Sequence, residues 1–431
     1  MFIENPENRE IEMFNFAKTL WPLARSLTGE GTRKTLRLIQ EQLPELSIKS
    51  VSSGTRVLDW VVPLEWRVNE AFIVDPLGKK ICDFSQNNLH LVGYSKRFIG
   101  ELSLEELQRH LHSLPDMPNA IPYLTSYYGE DWGFCITQEE RDELVSGSYK
   151  VVVDVDHFSG ELNYGELFIE GKSLKEVFIS TYICHPSMAN NELSGICVNT
   201  FLAKILKQQE NRYSYRFVFV PETIGSIAYI SRNLKDMKRN IIAGFNVSCV
   251  GDNRAYSFLP SRNGNSLSDK VAKHCLKWTD KNYISYTWRD RGSDERQYCS
   301  PGVDLPVASI MRSKYGTFPE YHTSLDKLGS VVTSEGLMGS LNVLLKCLLV
   351  IEKDCFPITT TLGEPFLSRH SLYPTTLNSR EYSESLSQIS DFISLSDSKT
   401  SLLDIAESLD VPFESALKIF ELLQSRGIVV G

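Results

Sequence analysis

The fold is decided by one stretch of the chain, Ser180-Thr181-Tyr182-Ile183-Cys184-His185-Pro186-Ser187-Met188-Ala189-Asn190-Asn191-Glu192-Leu193-Ser194-Gly195. The apolar run Val177-Phe178-Ile179 before it is typical of a buried strand, and Ile196 to Leu206 after it is typical of a helix. A strand, a polar turn and a helix in this order place side chains at the carboxyl edge of an α/β sheet. Imidazole is the commonest zinc ligand and needs a carboxylate close by, so we consider His185 and Glu192 candidate metal ligands.

Size and charge limit the classes of function. The 431 residues suggest two to three domains, and 42% hydrophobic residues are enough for a full core. The 45 Lys and Arg against 54 Asp and Glu give a net charge of −9, which disfavours a general binder of nucleic acid or of an anionic membrane. We see no signal peptide and no apolar run of about 18 residues, so we expect no membrane span. The nine cysteines lack a C-x-x-C pair, which favours reduced thiols and a cytoplasmic protein.

The pattern of elements predicts three parts. Alternating strands and helices over 149–355, together with 1–62, predict an α/β domain with a mostly parallel central sheet flanked by helices. Residues 63–148 mix short strands with a loop rich in Pro and Tyr, which predicts an inserted β-rich subdomain of unassigned role. Residues 357–431 contain three short helical segments followed by Ile428-Val429-Val430, and they predict a small winged-helix domain.

The charge of the winged-helix segment bears on its partner. After Ser401 only Lys418 and Arg426 are basic, whereas five residues are acidic. A DNA-reading helix needs positive charge, so we favour packing or protein contact over nucleic-acid binding.

Four further segments place chemically active side chains after predicted strands. Glu222 follows Arg216 to Val220 and is a candidate general base, although a helix N-terminal acid is the plainer interpretation. Asp252 follows Ile241 to Val250 and is either a metal ligand or an Asx turn. A charged segment containing Asp294 and Arg296 is either a substrate contact or a solvated loop. The last segment holds Tyr321 and the second candidate metal histidine, His322.

The order of these motifs resembles the aminopeptidase-like zinc peptidases, a family that includes bacterial leucyl aminopeptidases and glutaminyl cyclases. The similarity is closest to a bacterial subgroup with an inserted subdomain and a C-terminal winged helix, often near polysaccharide-biosynthesis genes, and it covers nearly the whole chain. The resemblance implies that His185 and His322 bind zinc and that Glu222 is the general base. It also implies that Asp294 and Arg296 lie near the substrate.

The chain departs from the family at three acidic positions. The bridging Asp of the active peptidases falls at or beside Asn191, the second acid of a pair is Thr223, and a further Asp falls near Ser248. Glu192 and Asp252 would have to bind the metal in place of the missing acidic residues. We therefore expect one zinc ion rather than two, since catalytic sites with three protein ligands are common.

We expect a zinc-dependent hydrolase of an amide or peptide bond in a small substrate. A metal-bound water would attack, Glu222 would take its proton, and Arg296 with Tyr321 would position the substrate. Two alternatives stay open, namely an amidotransferase or cyclase on the same scaffold and a degenerate peptidase fold kept as a binding module. The oligomeric state, a homo-oligomer included, is not determined by these patterns.

Overall fold

A large mixed sheet forms the centre of the protein. The computed structural model describes residues 6–372 and 380–431, with side chains over 8–372 and 386–431. The sheet has eight strands, and the four in the middle of its order are parallel to one another. In spatial order the strands are Ser47–Ser52, Glu161–Ile169, Tyr213–Val220, Ser173–Tyr182, Ile241–Asn246, Val307–Met311, Ser257–Leu259 and Ile284–Ser285.

The strand Ser173–Tyr182 lies at the switch point of this sheet. The next two strands of the chain, Tyr213–Val220 and Ile241–Asn246, pair with it on opposite sides. Because right-handed crossovers in opposite directions put their helices on opposite faces, both faces of this strand are covered. Phe178 and Ile179 are accordingly fully buried, which explains the continuous apolar run. Ligand sites of open α/β sheets form in the crevice beyond the carboxyl end of such a strand.

Helices cover the sheet and connect its strands. A π-helical turn, Ala189–Leu193, precedes the first crossover helix after His185. The α-helices are Pro6–Leu20, Glu30–Gln42, Leu104–Leu107, Gln138–Asp142, Ser194–Leu206, Ile224–Asn240, Leu267–Lys277, Glu295–Tyr298, Ser334–Lys353, Arg380–Leu395, Leu402–Ser408 and Phe413–Ser425. Short 3-10 turns occur at Asn88–His90, Gln108–His110, Trp288–Asp290 and Leu367–His370.

A second, smaller sheet corrects one predicted boundary. Its four antiparallel strands are ordered Lys80–Ile81, Glu65–Val74, Ser148–Phe158 and Phe98–Ser103. The predicted α/β domain begins again at residue 149, but the strand Ser148–Phe158 pairs with Glu65–Val74 along its length. The inserted sheet therefore extends past residue 148, and the central sheet resumes at Glu161. Four two-residue strands form small ladders, Arg56–Val57 with Trp60–Val61 and Leu111–His112 with Phe134–Cys135.

The C-terminal part has the predicted three helices and a strand. Helices Arg380–Leu395, Leu402–Ser408 and Phe413–Ser425 are followed by Val429–Val430, which pairs antiparallel with Ile358–Thr359. This compact unit comprises 343–431 and 270–282, and the other unit comprises 1–269 and 283–342. The stretch Ile358 to Ser379, which is rich in Ser, Thr and Pro, lies partly outside the described residues.

One helix among the described residues, Ser334–Lys353, is long and apolar enough to cross a membrane by composition alone. Because 67% of its most apolar window is buried inside the protein, it has the character of a core helix.

Candidate active site

Two histidines from separate strand-end loops meet beyond the carboxyl edge of the sheet. The ring centroids of His185 and His322 lie 5.4 Å apart. Tyr123 from the inserted subdomain packs against both, with centroid distances of 5.2 and 5.1 Å. Its loop is fixed by a hydrogen bond from the Tyr123 amide to the His322 carbonyl, 2.8 Å. The insert therefore supplies one wall of this centre.

The ring of His185 is oriented by Glu192. Its Nδ1 lies 3.0 Å from Glu192 Oε2, and its Nε2 lies 3.7 Å from Glu222 Oε2. Burial opposes protonation of this ring, but the hydrogen bond and charge of Glu192 outweigh it and raise the pKa of His185. A histidine whose Nδ1 is held by a carboxylate presents Nε2 in a fixed direction, which is the usual arrangement of metal-binding histidines.

Glu192 holds the ring of His185 in this structure, and its role as a metal ligand stays a prediction. Its Oε1 accepts a hydrogen bond from Arg25 Nε at 2.7 Å, and both groups are fully buried. Its Oε2 accepts the amides of Cys184, at 2.6 Å, and His185. Since these donors occupy both oxygens, little capacity is left for a metal. Cys184, His185 and Glu192 do place donor atoms within 4.8 Å of one another, but burial raises the pKa of the Cys184 thiol well above its usual value.

Asp252, the other predicted carboxylate ligand, is also used structurally. Its Oδ2 accepts Asn190 Nδ2 at 2.8 Å and the Ser313 amide at 2.9 Å. Its Oδ1 accepts the Arg254 amide at 2.8 Å and Ser313 Oγ at 2.9 Å. Asp252 is buried, and its hydrogen bonds connect three loops. The Asx-turn interpretation left open above is therefore the one that the geometry favours.

His322 is a neutral imidazole with an unused nitrogen. Its ring stacks on Tyr321 at a centroid distance of 3.9 Å, and its Nε2 is buried without a hydrogen-bond partner among the described residues. Burial and the nearby charge of His185 lower the pKa of His322 to about 3. A buried, unpartnered ring nitrogen costs free energy unless a ligand uses it. Its backbone has φ = 55°, a left-handed value that is uncommon for histidine and typical of functional loops.

Glu222 faces His185 from the neighbouring strand end. Its side chain is 23% exposed. Burial raises its pKa, although the charges of His185 and Arg296 act in the opposite direction. The next residue, Thr223, has φ = 64°, so the turn that presents Glu222 is also strained. A carboxylate whose pKa moves toward neutrality is suited to general acid–base catalysis.

Asp294 and Arg296 hold the Glu222 turn. Asp294 Oδ1 accepts the Thr223 amide at 2.7 Å and Ser226 Oγ at 2.8 Å. Burial and the charge of Glu222 raise the pKa of Asp294 to about 8. Arg296 is exposed and donates from Nη2 to Thr223 Oγ1 at 2.7 Å. The structure thus places Arg296 where a substrate could meet it, whereas Asp294 is a fully buried positioning residue.

The three departures from the family pattern are Asn191, Thr223 and Ser248, which are all polar residues. Tyr182 donates its hydroxyl to Asn191 Oδ1 at 3.0 Å, and Asn191 Nδ2 and Ser248 Oγ are buried without partners in the described part of the chain. The ring nitrogens of this centre that could bind a metal are therefore Nε2 of His185 and Nε2 of His322. Glu222 is the one carboxylate within 4.0 Å of His185 Nε2 among the described residues. Two histidines and a glutamate are a set of side chains that can hold a zinc ion.

Two residues of this centre were not predicted. Arg25 follows the first helix, and nothing in its local sequence distinguishes it from a surface arginine. Tyr123 lies in the Pro- and Tyr-rich loop, whose unusual composition was the available signal. Both reach the site only through long-range packing.

Comparisons with known proteins agree with this fold. A zinc aminopeptidase from Bacillus subtilis superposes with a TM-score of 0.58 at 14% identity, over 81% of this chain and 95% of that one, which establishes the fold alone. A crystal structure from Clostridium acetobutylicum, described provisionally as a peptidase, superposes with a TM-score of 0.92 at 38% identity, over 99% and 97% of the two chains. Fold and site thus define an aminopeptidase-like α/β protein.

The chain belongs to the family described as domain of unknown function DUF4910, whose model matches residues 14–354. A winged helix-turn-helix model matches residues 355–431, which confirms the predicted C-terminal domain. A curated relative from Clostridium acetobutylicum is 40% identical over 413 residues, which is 96% of this chain and 94% of the relative. Its name assigns it provisionally to polysaccharide biosynthesis and gives it an aminopeptidase-like domain.

Proposed function

We propose that this protein hydrolyses an amide or peptide bond in a small substrate. The observation that carries the proposal is the pairing of Glu222 with the oriented His185, whose Nε2 lies 3.7 Å from the carboxylate. This pair lies at the carboxyl edge of a sheet that has the aminopeptidase fold. Amide hydrolysis needs a group that takes a proton from water and returns it to the leaving nitrogen, and a partly buried carboxylate of raised pKa can do both.

The neighbouring residues have distinct tasks. Asp294 holds the Thr223 amide and so fixes the direction of Glu222. Arg296 extends the site toward solvent, where a guanidinium can hold a carbonyl oxygen or an anionic group of the substrate. Tyr321 stacks on His322 and limits the movement of that ring. Tyr123 closes the side of the site that faces the inserted subdomain.

We propose zinc as the resident metal, with one ion. His185 and His322 would hold it through their ring nitrogens, and Glu222 is the carboxylate nearest to His185 Nε2. A bound zinc ion would supply a Lewis acid that polarises the scissile carbonyl and lowers the pKa of water. Glu192 would keep His185 oriented, as outer carboxylates do at metal sites.

The role that the relative's name gives it suggests a substrate class. A polysaccharide-biosynthesis role would be met by an amide on a sugar, such as an N-acylated amino sugar or a sugar joined to an amino acid. Cleavage adds water across the C–N bond and releases a carboxylic acid and an amine. A cytoplasmic location is consistent with a substrate of this kind before it is exported, and we propose it on that basis.

Substitution of Glu222 by glutamine tests the mechanism. We expect loss of release of amine from N-acyl amino sugars and aminoacyl sugars, by at least about a hundredfold, because general acid–base catalysis contributes that much. Unchanged hydrolysis in this variant would refute the role of Glu222. The matched control is Glu320→Gln, since Glu320 lies near the site but pairs with Arg254. Incorporation of ¹⁸O from labelled water separates hydrolysis from cyclisation, in which no water enters the product.

Metal analysis tests the zinc proposal and the binding-module alternative. We expect close to one equivalent of zinc in protein expressed with zinc, and a loss of it in the double variant His185→Asn, His322→Asn. If the Glu222→Gln variant retains zinc, Glu222 acts as a base and is not a zinc ligand. Less than about half an equivalent in the unchanged protein, with no hydrolysis, would favour a degenerate binding module.

The winged-helix unit supports a protein-contact role. Its acidic residues Asp404 and Glu407 pair with Lys270 and Lys277 inside the same compact unit. The helix Phe413–Ser425 carries one lysine and two glutamates. Such a helix lacks the positive charge that phosphate contacts need, so we propose a protein partner.

A further inference from the structure

A group of cations without acidic partners lies beside the candidate active site. Arg291 and Arg296 are exposed, and Lys314 is half-buried. None of the three forms an ion pair with a carboxylate in the described part of the chain, and each donates one hydrogen bond to a neutral oxygen instead. Their other N–H groups remain available to a ligand. Because the whole chain has a net charge of −9, this local positive charge favours an anionic ligand at this place.

Lys314 lies at the same edge of the central sheet as His185. It follows the strand Val307–Met311, which is parallel to the strand Ser173–Tyr182 that precedes the histidine. One strand, Ile241–Asn246, separates the two in the sheet. Two strand spacings amount to about 10 Å, so a single small substrate can reach from the histidine to the lysine.

The turn between the two arginines is held against the residue that follows Lys314. Glu295 Oε1 accepts the amides of Gly292 and Ser293 within this turn, at 2.8 and 2.9 Å. The same oxygen accepts the Tyr315 hydroxyl at 2.7 Å. Gly292 packs so closely on Tyr315 that a Cβ there would lie 2.7 Å from the ring. The three cations therefore border one hydrogen-bonded unit.

The carboxylates around this unit do not neutralise the cations. Asp290 is exposed, and its Oδ2 accepts the amide and the hydroxyl of Thr287, both at 2.8 Å. Glu320 binds Arg254 through both oxygens, at 2.8 Å each. Burial raises the pKa of Asp294 to about 8, so this group is largely uncharged at pH 7. Within 286–296 the exposed arginines outnumber the exposed carboxylate, and the surface is positive.

Two side chains connect the cations to the candidate catalytic residues. Arg296 Nη2 donates to Thr223 Oγ1 at 2.7 Å, in the turn that presents the general base. Tyr321 stacks on His322 and packs against the buried cluster that contains Tyr315. A substrate bound at the histidines therefore has aromatic side chains and cations within reach along the same edge of the sheet.

We propose that the substrate of this site carries a phosphate or diphosphate group, which Arg291, Arg296 and Lys314 bind. The scissile amide then lies at His185 and Glu222. This inference rests on the proposed function and narrows its substrate class. Guanidinium groups bind phosphate oxygens in pairs, and a lysine adds a point charge. An N-acylated amino sugar joined to a nucleoside diphosphate has the required chemistry, because its amide and its diphosphate are attached to the same sugar ring.

Isothermal calorimetry on the full chain tests the binding with three probes, which are N-acetylglucosamine, its 1-phosphate and uridine-diphosphate N-acetylglucosamine. We expect one or both phosphorylated probes to bind at least about tenfold more tightly than the unphosphorylated sugar. This preference should decrease when the salt concentration is raised from about 50 to about 300 mM. The phosphorylated probe that binds more tightly identifies the group as a monophosphate or a diphosphate.

Two variants test which side chains bind the phosphate. Arg291→Gln and Lys314→Gln should each weaken binding of the phosphorylated probe about fivefold and leave binding of N-acetylglucosamine unchanged. Arg262→Gln is the matched control, since Arg262 is also exposed but pairs with Asp304. All three variants retain the histidines, so a phosphate bound at a metal would be unaffected in each of them. Thermal midpoints establish that every variant folds.

Equal affinities for the three probes would overturn the proposal, as would no binding of a phosphorylated probe up to about 10 mM. The same affinity in Arg291→Gln, Lys314→Gln and Arg262→Gln would overturn it too, because the phosphate would then bind elsewhere. Calorimetry needs no turnover, so these results are independent of the hydrolase proposal. Binding without release of amine would refute hydrolysis and leave the phosphate site standing. Hydrolysis without any preference for phosphorylated sugars would do the reverse.

Discussion

Replacement of Arg25 by methionine should be among the most damaging single changes in this protein. Its guanidinium pairs with Glu192 at 2.7 Å, and neither side chain is exposed. Methionine fills a similar volume but removes the charge, so the Glu192 carboxylate is left buried without its cation. The amides of Cys184 and His185 and the ring of His185 still surround that carboxylate.

The expected cost follows from burial. Removal of one partner of a buried ion pair typically costs about 3–5 kcal/mol, because the remaining charge is uncompensated. The exposed pair of Arg37 and Glu30 has side chains that are 51% and 65% exposed, and such pairs contribute about 0.2–1 kcal/mol. Removal of Arg25 should therefore cost severalfold more free energy of unfolding than removal of Arg37, although each arginine has a glutamate partner.

Chemical denaturation measures the difference. We expect Arg25→Met to lower the free energy of unfolding of the unit that comprises 1–269 and 283–342 by several times the effect of Arg37→Met. The double variant Arg25→Met, Glu192→Gln should recover part of the loss, since it removes the stranded charge. Similar stabilities of the two single variants would refute this reasoning, because they would mean that the Arg25 pair contributes no more than a solvated one.

Three other predictions concern separate parts of the chain. Burial tends to raise the pKa of Glu166, but a hydrogen bond from Lys49 and the neighbouring positive charges outweigh it and lower the pKa below 4.5. The stability that this shift gives is present above about pH 4.5 and is lost as the pH falls through the pKa of the folded state. Glu166→Gln should therefore flatten the acid side of a plot of thermal midpoint against pH. Gly31→Ala should lower the thermal midpoint by several degrees, because its Cβ would meet the Ala24 carbonyl oxygen at 2.0 Å, whereas Gly302→Ala, with nothing within 4 Å, should change it little. The winged-helix unit should show no binding to duplex DNA at physiological salt in a fluorescence anisotropy titration, and sub-micromolar binding would contradict the charge argument.

Much of the fold could be predicted because local patterns and packing agree. The apolar strand Ser173–Tyr182 reads as buried because both of its faces are covered. The three C-terminal helices were visible from their periodicity. The strand Ser148–Phe158 was assigned to the wrong sheet, because its alternating pattern specifies a strand but not the neighbour with which it pairs.

The candidate active site was also predicted only in part from the sequence. The sequence alone determined that His185, Glu222 and His322 follow strands and so face one edge of a sheet, because parallel strands bring their carboxyl ends together. Only the tertiary structure decided which carboxylates are free. Glu192 and Asp252 look like ligands in the sequence, but long-range partners, Arg25 for one and Ser313 for the other, occupy their oxygens. Which donors bind a given carboxylate depends on the distances between loops in the folded protein. The spacing of residues along the sequence does not encode these distances.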